Sequence, residues 1–549
     1  MARGEHRSGR GLARRRQPAS SPTKVRPSAV EFLLIAAGLA LVWRYAWIMD
    51  DAFVYARYAD NAVLSGLGLV YNRGEFVEGY SSPLWMLWML PLRALGLNYW
   101  QIWLGTGLAS FAAAGGLLVA LERKLSPGPR AGARVNLPLA FLACSYAVTS
   151  FFTSGLETPF VELCAVGYAL YCVDPRSRVG QLLVGLSPLV RPELALPFAF
   201  VLAVTAYRAR SLRAVLVPAT LGVATLLAWL AFRVYYYADL LPNTFYLKHA
   251  YNPAQGWRYF LNTFASYHVG LLLLASAGLW LWLRRGDRPA PPHDRRVGAR
   301  LTMLGAALLV SLYVIRIGGD AVHFRFLAFP FVLVVCATGG LLGEVLGRAV
   351  PQRARSAGAA FSVAIAATSL LLQPPQRTEH VLRGDAGHVQ VDGISDPSWH
   401  RSRTKFRRLA REDPSYDARI AAGDRLRYRE VVADGFCARA HWRHDLRVVH
   451  SFGLTDPILA RLTVPEDRPG HRYKLRPYAN DLVRLYSDPR ARFTGALFSD
   501  AIDQGYAPPW IAKRRATFDL LARKAYNTHD FAENLALALK SPRKIEVGP

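Results

Sequence analysis

The sequence predicts a polytopic α-helical membrane protein with a soluble C-terminal domain, and three observations support this fold class. The chain has 549 residues, 52% of them hydrophobic and only 19% charged, which is too apolar for a soluble enzyme of this size. Apolar windows of membrane-spanning length recur between residues 30 and 373 and then stop. We therefore expect a basic tail in residues 1–29, a transmembrane domain in 30–373 and a soluble extracytoplasmic α/β domain in 374–549.

Four apolar windows are long enough to cross a hydrocarbon core of about 30 Å: residues 30–48, 101–121, 215–237 and 326–347. Together with weaker windows, they predict about eleven transmembrane helices. Residues 83–97 are also apolar but short, with Pro91 and Arg93 inside, so we expect a juxtamembrane helix within a first outer loop at 49–100. Residues 179–190 predict a short span that breaks at Arg191 and Pro192.

The formal net charge of +28 is distributed unevenly. Basic residues concentrate in the N-terminal tail and in alternate connections between spans, the pattern that the positive-inside rule predicts for cytoplasmic loops. An N-terminus in the cytoplasm and an odd number of spans would place the C-terminal domain outside the plasma (inner) membrane. The charge therefore favours the lipid bilayer, and no nucleic acid, as a partner. The sequence has no CxxC, HExxH, Walker A or Rossmann motif, which disfavours a nucleotide-driven pump.

Two adjacent carboxylates, Asp50 and Asp51, directly follow the first predicted span. Ionisable groups at a membrane boundary are functional candidates, and neighbouring carboxylates repel, which can produce a raised pKa suited to a general base. These residues are our catalytic candidates. The alternative is that they cap a helix starting near Ala52.

Further polar residues fall on the same predicted outer face. Cationic candidates for binding a donor phosphate are Arg191, Lys248, Arg325 and His323. Candidates for contacting substrate are Tyr55, Arg57, Glu78, Glu157, Glu193, Asn243 and Asp320. Structural alternatives stay open, namely an internal ion pair between Arg191 and Glu193, a lysine that snorkels to the interface at Lys248, and a solvated hairpin at 318–325.

Carboxylates and cations on one outer face suit the transfer of a sugar from a lipid phosphate. Such a reaction needs a base for the acceptor hydroxyl and positive charge for the departing polyprenyl phosphate. A donor held in the membrane also explains a site at the boundary. No cofactor is indicated with certainty, and a divalent metal ion at Asp50 and Asp51 stays open.

Several ordered motifs resemble the GT-C superfamily of polyprenyl-phosphate-dependent glycosyltransferases. They are DDAFVYARYADNAVLSGLGLVYNRGEFVEGYSSPLW at 50–85, followed by TSGLETPF, RPE, LPNTFYLK, GGDAVHFRF and SFGLTDPILAR. They are most similar to the branch that contains terminal β-(1→2)-arabinofuranosyltransferases and proteins labelled flagellar motor control proteins. The resemblance implies a GT-C fold, catalytic roles for Asp50 and Asp51, a decaprenyl-phospho-arabinose donor and a cell-envelope glycan acceptor, the arabinan of the cell wall.

The resemblance also implies that the C-terminal domain helps to hold the acceptor. Asp456 and the aromatic residues Trp399, Trp442 and Trp510 are candidates for contacting sugar, although tryptophans can equally be core residues. Two rival classes remain. One is a non-catalytic membrane scaffold or motor-associated protein with the same fold, and the other is a transporter, which would place charges near the membrane midplane.

Overall fold

The computed structural model describes residues 27–125, 136–248, 251–264, 278, 295–349, 390–391, 394–395, 404–411, 430–434, 437, 446–464 and 475–547. Helices dominate its N-terminal part. They are α1 Ala29–Arg44, α2 Ala52–Val63, α3 Pro83–Ala94, α4 Tyr99–Leu125, α5 Leu137–Cys144, α6 Tyr146–Phe151, α7 Thr158–Val173, α8 Arg178–Val190, α9 Ala195–Ala209, α10 Leu216–Tyr237, α11 Asn243–Lys248, α12 Pro253–Phe264, α13 Arg295–Ile317 and α14 Ala328–Ala349. Short 3-10 turns occupy Pro192–Leu194, Leu212–Ala214 and Arg325–Leu327.

Among the described residues, three helices are long and apolar enough to cross a membrane: Tyr99–Leu125, Leu216–Tyr237 and Arg296–Ile317. The first two coincide with the predicted windows 101–121 and 215–237. Shorter apolar helices accompany them at Thr158–Val173, Arg178–Val190 and Arg325–Gly339. The predicted class of helical membrane protein is therefore supported, whereas the count of about eleven spans stays a prediction.

The segment predicted as the first outer loop, residues 49–100, contains two helices, α2 and α3. Ser82 caps α3 through a hydrogen bond from the Trp85 N–H (3.3 Å), and Pro83 starts the helix with its φ already fixed. Its 12 residues give a length of about 18 Å, well short of a hydrocarbon core. This length fits the predicted juxtamembrane helix.

Helix α7 lies at the centre of the helical part and packs against α4, α8 and α14. Its face is rich in small and aromatic residues, and Gly167 lets Leu183 of α8 approach so closely that a Cβ there would lie 2.5 Å from the Leu183 Cβ. Tyr168 is fully buried and shares a 2.7 Å hydrogen bond with Ser187. Glu157 directly precedes α7, so the tight packing of this helix fixes the position of Glu157.

The C-terminal part combines further helices with short sheets. Its helices are α15 Thr404–Arg411, α16 Arg476–Ser487, α17 Leu497–Asp503, α18 Pro509–Ala512, α19 Arg515–Ala525 and α20 Phe531–Lys540, and a 3-10 turn spans Leu459–Arg461. Its strands are β1 Gln390–Val391, β2 Ile394–Ser395, β3 Glu430–Asp434, β4 Leu446–His450, β5 Leu462–Thr463 and β6 Ile545–Glu546. Strands β1 and β2 pair antiparallel, whereas β3 with β4 and β5 with β6 pair parallel. The predicted domain boundaries stay predictions.

The C-terminal part is docked on the first outer loop. The Asn72 side chain donates to the Val448 carbonyl and accepts from the Val448 N–H, both at 3.0 Å. The Phe76 N–H donates to the Ala525 carbonyl at 2.7 Å. Backbone groups of the loop and of the C-terminal part are thus hydrogen-bonded across this contact.

A second contact uses charge. The Asp239 carboxylate, which follows α10, accepts hydrogen bonds from Arg461 (2.7 Å) and Lys524 (2.6 Å). We call Asp239, Arg461 and Lys524 the docking cluster. Because all three are largely buried, they fix the C-terminal part against the membrane helices.

Candidate active site

Asp50 and Asp51 lie between α1 and α2, where the chain leaves the first helix. The Met49 N–H donates to the Ser154 carbonyl (2.9 Å), which ties this turn to the segment before α7. Asp51 stands at the N-cap position of α2, but its side chain makes no capping hydrogen bond. The capping alternative is therefore not observed for Asp51, whose side chain is 33% exposed.

Behind Asp51 lies a buried network of ion pairs. Arg325 is 3.6 Å from an Asp51 oxygen, 3.3 Å from Asp320 and 3.5 Å from Glu157. Arg191 is 3.3 Å from the same Glu157 oxygen and 2.5 Å from Glu193. We call Asp51, Glu157, Glu193, Asp320, Arg191 and Arg325 the outer cluster.

Backbone geometry brings these residues together from four distant segments. Gly155 has φ +80°, and a Cβ there would lie 2.6 Å from the Ala52 Cβ, so this tight turn before Glu157 requires glycine. Arg191 has extended backbone between α8 and the following 3-10 turn, which is the predicted break. Gly319, with φ +77°, packs against the Tyr259 ring and turns the chain toward Asp320 and Arg325.

Tyr55 joins the outer cluster at its edge. Its hydroxyl donates to Glu157 at 3.5 Å and accepts from the Ser82 N–H at 3.1 Å. Burial first, and then the charge of Glu157, raise the pKa of Tyr55, so this phenol stays protonated. Tyr55 therefore serves as a hydrogen-bond donor inside the cluster.

One of the predicted phosphate ligands, His323, is not in the outer cluster. His323 is fully buried, and its Nδ1 lies 2.6 Å from the Asn262 side-chain oxygen. Lys248 ends α11, and its side chain lies outside the described residues. Their proposed phosphate contacts stay predictions.

Four predicted substrate contacts bind protein groups elsewhere in the fold. Arg57 donates to the carbonyls of Tyr71 (2.7 Å) and Leu446 (2.8 Å), which joins the outer loop to β4. Glu78 pairs with Arg233 of α10 and accepts from Trp229.

The other two residues of this group, Asn243 and Asp456, belong to two segments that contact each other. Asn243 donates to the carbonyls of Gly453, Leu454 and Asp456, and the Asp456 carboxylate accepts from the Ile458 and Leu459 N–H groups at 2.9 Å. These bonds indicate docking and turn-forming roles, and the predicted contacts with substrate stay untested.

Among the tryptophans proposed to stack on sugar, Trp399 and Trp442 lie outside the described residues. Trp510 donates to Asp481 at 3.0 Å and packs edge-on against Tyr478 and Phe518. This environment favours the alternative of a core residue.

The outer cluster carries more negative than positive charge. Four carboxylates face two guanidinium groups, and Asp50 adds a fifth carboxylate beside Asp51. Both arginines are therefore already paired, so a phosphate would have to share Arg325 with Asp51. The arrangement suits proton abstraction at Asp51, with the Arg325 charge fixed behind it.

Two contacts of Cys437, one of them with Asp50, were not predicted from the sequence. The Cys437 N–H donates to the Asp50 carboxylate at 2.9 Å, and the Cys437 Sγ lies 3.2 Å from the His450 Nε2. Cys437 is one of five cysteines in the chain and has no predicted role in the sequence analysis. Because more than 380 residues separate it from Asp50, no local pattern could have joined them.

Asp50, Asp51 and Cys437 offer ligand atoms within 4.8 Å of one another, which makes them a candidate cation site. Two carboxylates suit a hard divalent ion that keeps water ligands. The Cys437 sulfur is a soft ligand, whereas hard divalent ions prefer oxygen. The carboxylates therefore fit such an ion, and the sulfur does not.

Comparison with known proteins supports the resemblance seen in the motifs. The chain is 31% identical over 356 residues to a terminal β-(1→2)-arabinofuranosyltransferase of Corynebacterium glutamicum, covering 56% of this chain and 49% of the relative. It is 29% identical over 340 residues to the enzyme of the same name from Mycobacterium tuberculosis, covering 54% and 53%. The chain thus spans about half the length of the curated relatives it matches.

No family model matches the chain, and no solved structure matches it. The resemblance predicted from the motifs is confirmed: over somewhat more than half of its length, this chain is similar to terminal β-(1→2)-arabinofuranosyltransferases.

Proposed function

We propose that this chain is a GT-C-type membrane glycosyltransferase. It moves arabinofuranose from a polyprenyl phosphate, decaprenyl-phospho-arabinose, to a cell-envelope glycan at the outer face of the plasma membrane. One observation carries the proposal: a partly exposed carboxylate, Asp51, stands in front of a buried arginine at the boundary of the helical part. The similarity to arabinofuranosyltransferases supplies the sugar.

In the proposed reaction, Asp51 accepts the proton of the acceptor hydroxyl as that oxygen bonds to the anomeric carbon of the donor. The bond between this carbon and the phosphate oxygen breaks, and its electron pair leaves with the polyprenyl phosphate. Arg325, held by Asp320 and Glu157, keeps positive charge close to Asp51 and to the departing phosphate. Tyr55 and Arg191 hold Glu157 and so fix the position of Arg325.

Asp50 and Asp51 are also the residues that would hold a divalent cation. Such an ion would add positive charge toward the phosphate to that of Arg325, whose own charge is shared with three carboxylates.

The test is transfer of radiolabelled arabinose from polyprenyl-phospho-arabinose to an arabinan acceptor, in membranes carrying the wild-type chain, Asp50→Asn or Asp51→Asn. We expect Asp51→Asn to lower transfer by at least about 100-fold, because loss of a general base typically costs a factor of 10² to 10⁴. Equal amounts of folded protein are verified by thermal unfolding in detergent.

Transfer retained in both variants would exclude the catalytic assignment. A folded wild-type chain that transfers no sugar from any polyprenyl phosphate would instead favour the non-catalytic scaffold.

A further inference from the structure

The C-terminal part reaches the carboxylate pair through Cys437. This residue is 1% exposed, and its backbone N–H donates to Asp50 Oδ2 at 2.9 Å. Its thiol sulfur lies within 4.8 Å of carboxylate oxygens of both Asp50 and Asp51. One residue of the C-terminal part is therefore in direct contact with the candidate active site.

The Cys437 thiol is itself held by His450, the last residue of β4. His450 Nδ1 accepts from the N–H groups of Phe452 and Leu454, both at 3.4 Å. In a neutral imidazole the proton then sits on Nε2, which donates to the Cys437 sulfur at 3.2 Å. With its sulfur accepting, the thiol can direct its S–H toward Asp50.

The direction of this hydrogen bond agrees with the surroundings of the sulfur. The Cys437 side chain is buried, and its sulfur lies close to the oxygen atoms of two carboxylates, Asp50 and Asp51, an apolar and negative setting that favours the neutral thiol. A protonated thiol is a donor, so it matches a carboxylate acceptor. Two hydrogen bonds therefore act in series: the His450 Nε2–H donates to the Cys437 sulfur, and the Cys437 S–H donates to the Asp50 carboxylate of the candidate site.

The two carboxylates are held differently as a result. Asp50 is fixed from the C-terminal part, whereas Asp51 faces Arg325 and solvent. We propose that Cys437 and His450 are positioning residues that orient Asp50, so that the carboxylate pair of the transferase is complete only when the C-terminal part is docked. This inference rests on the proposed function.

The experiment measures kcat and the donor KM of the full chain for wild type, Cys437→Ala, Cys437→Ser and His450→Asn. The serine variant keeps a donor of similar size. The asparagine variant keeps an acceptor where Nδ1 stood but removes the Nε2–H donor. Cys336→Ala, which deletes a buried thiol in α14, is the matched control.

We expect kcat to fall about tenfold in Cys437→Ala, the effect of losing one hydrogen bond to a charged group, and by a similar factor in His450→Asn, which releases the thiol that makes this bond. The donor KM should stay within about twofold, since none of these variants removes the Asp50 carboxylate, and Cys437→Ser should recover kcat to within about threefold. Cys336→Ala should match wild type. If Cys437→Ala does not fold, His450→Asn and Cys437→Ser carry the test.

Two results would overturn the inference while leaving the proposed function intact. They are a wild-type kcat in His450→Asn, and a Cys437→Ser variant as slow as Cys437→Ala, which would indicate packing and not hydrogen bonding. In both cases wild type transfers sugar and Asp51→Asn does not. Absence of transfer by folded wild type would overturn the proposed function and this role with it.

Discussion

The outer cluster and the docking cluster are built from the same residue types but differ in balance and fit. In the docking cluster, one carboxylate, Asp239, meets two cations at 2.6 and 2.7 Å, and every member is largely buried. In the outer cluster, four carboxylates share two arginines, mostly at 3.3 to 3.6 Å, and Asp51 is one-third exposed. Tight, buried pairing is typical of a structural contact. Loose pairing with surplus negative charge next to solvent leaves a group able to react.

The largest effect on stability should come from the docking cluster. Arg461→Met removes the guanidinium that binds Asp239, Asn243 and the Pro457 carbonyl. We expect the free energy of unfolding to fall by about 3 kcal/mol, because the Asn243 oxygen and the Pro457 carbonyl lose a buried donor and Asp239 keeps only Lys524 as its cation. Transfer per folded molecule should fall less than tenfold, as measured by thermal unfolding and sugar transfer on the same sample.

A substitution in the outer cluster should lower sugar transfer strongly and stability only a little. Arg325→Lys keeps the charge but loses the planar fork that reaches Asp51, Asp320 and Glu157 together. We expect transfer to fall about 100-fold, the cost of a misplaced electrostatic group, with a smaller loss of stability than in Arg461→Met. A variant that transfers sugar at the wild-type rate would contradict the distinction between the clusters.

Asp456 tests whether a buried carboxylate near the docking face contacts substrate. Burial raises its pKa from 3.8 to about 6, so the folded state binds more protons than the unfolded state between these values. The free energy of unfolding should therefore fall as the pH rises from about 4 to about 6.

In Asp456→Asn this dependence should disappear. The variant should be more stable at pH 7 by roughly 1 to 3 kcal/mol, because it removes a carboxylate whose charged form is disfavoured by burial. The amide oxygen can still accept from Ile458 and Leu459. Unchanged transfer would support the turn-forming role, and a large rise in the acceptor KM would restore the predicted contact with sugar.

The smallest effect is expected at Trp510. Trp510→Phe removes the hydrogen bond to Asp481 but keeps an aromatic ring against Tyr478 and Phe518. We expect a loss of about 1 kcal/mol in unfolding free energy and no change in the acceptor KM. Acceptor titrations that show weaker binding would favour sugar stacking.

Much of the outer cluster could be predicted from sequence because its residues follow local signals. Asp50 and Asp51 end an apolar window, Arg191 stands at a helix break, and Asp320 follows two glycines in a short hairpin. A polar residue at the end of a span is costly, so it attracts attention even in one sequence.

The docking contacts could not be predicted in the same way. Arg57, Glu78 and Asn243 carry the same polar signal, yet their partners come from residues that only the tertiary fold brings near. Cys437 and His450 belong to this class as well. Composition can mark a residue as unusual, but whether its partner is substrate or protein depends on long-range packing.

The most direct test of the account compares Asp51→Asn with Asp239→Asn, measuring sugar transfer and thermal unfolding for each. We predict that Asp51→Asn loses transfer by at least about 100-fold and unfolds like wild type, whereas Asp239→Asn is destabilised by several kcal/mol and retains transfer when folded. Retained transfer in Asp51→Asn, or equal loss of transfer in both variants, would contradict the claim that the outer cluster is the active site.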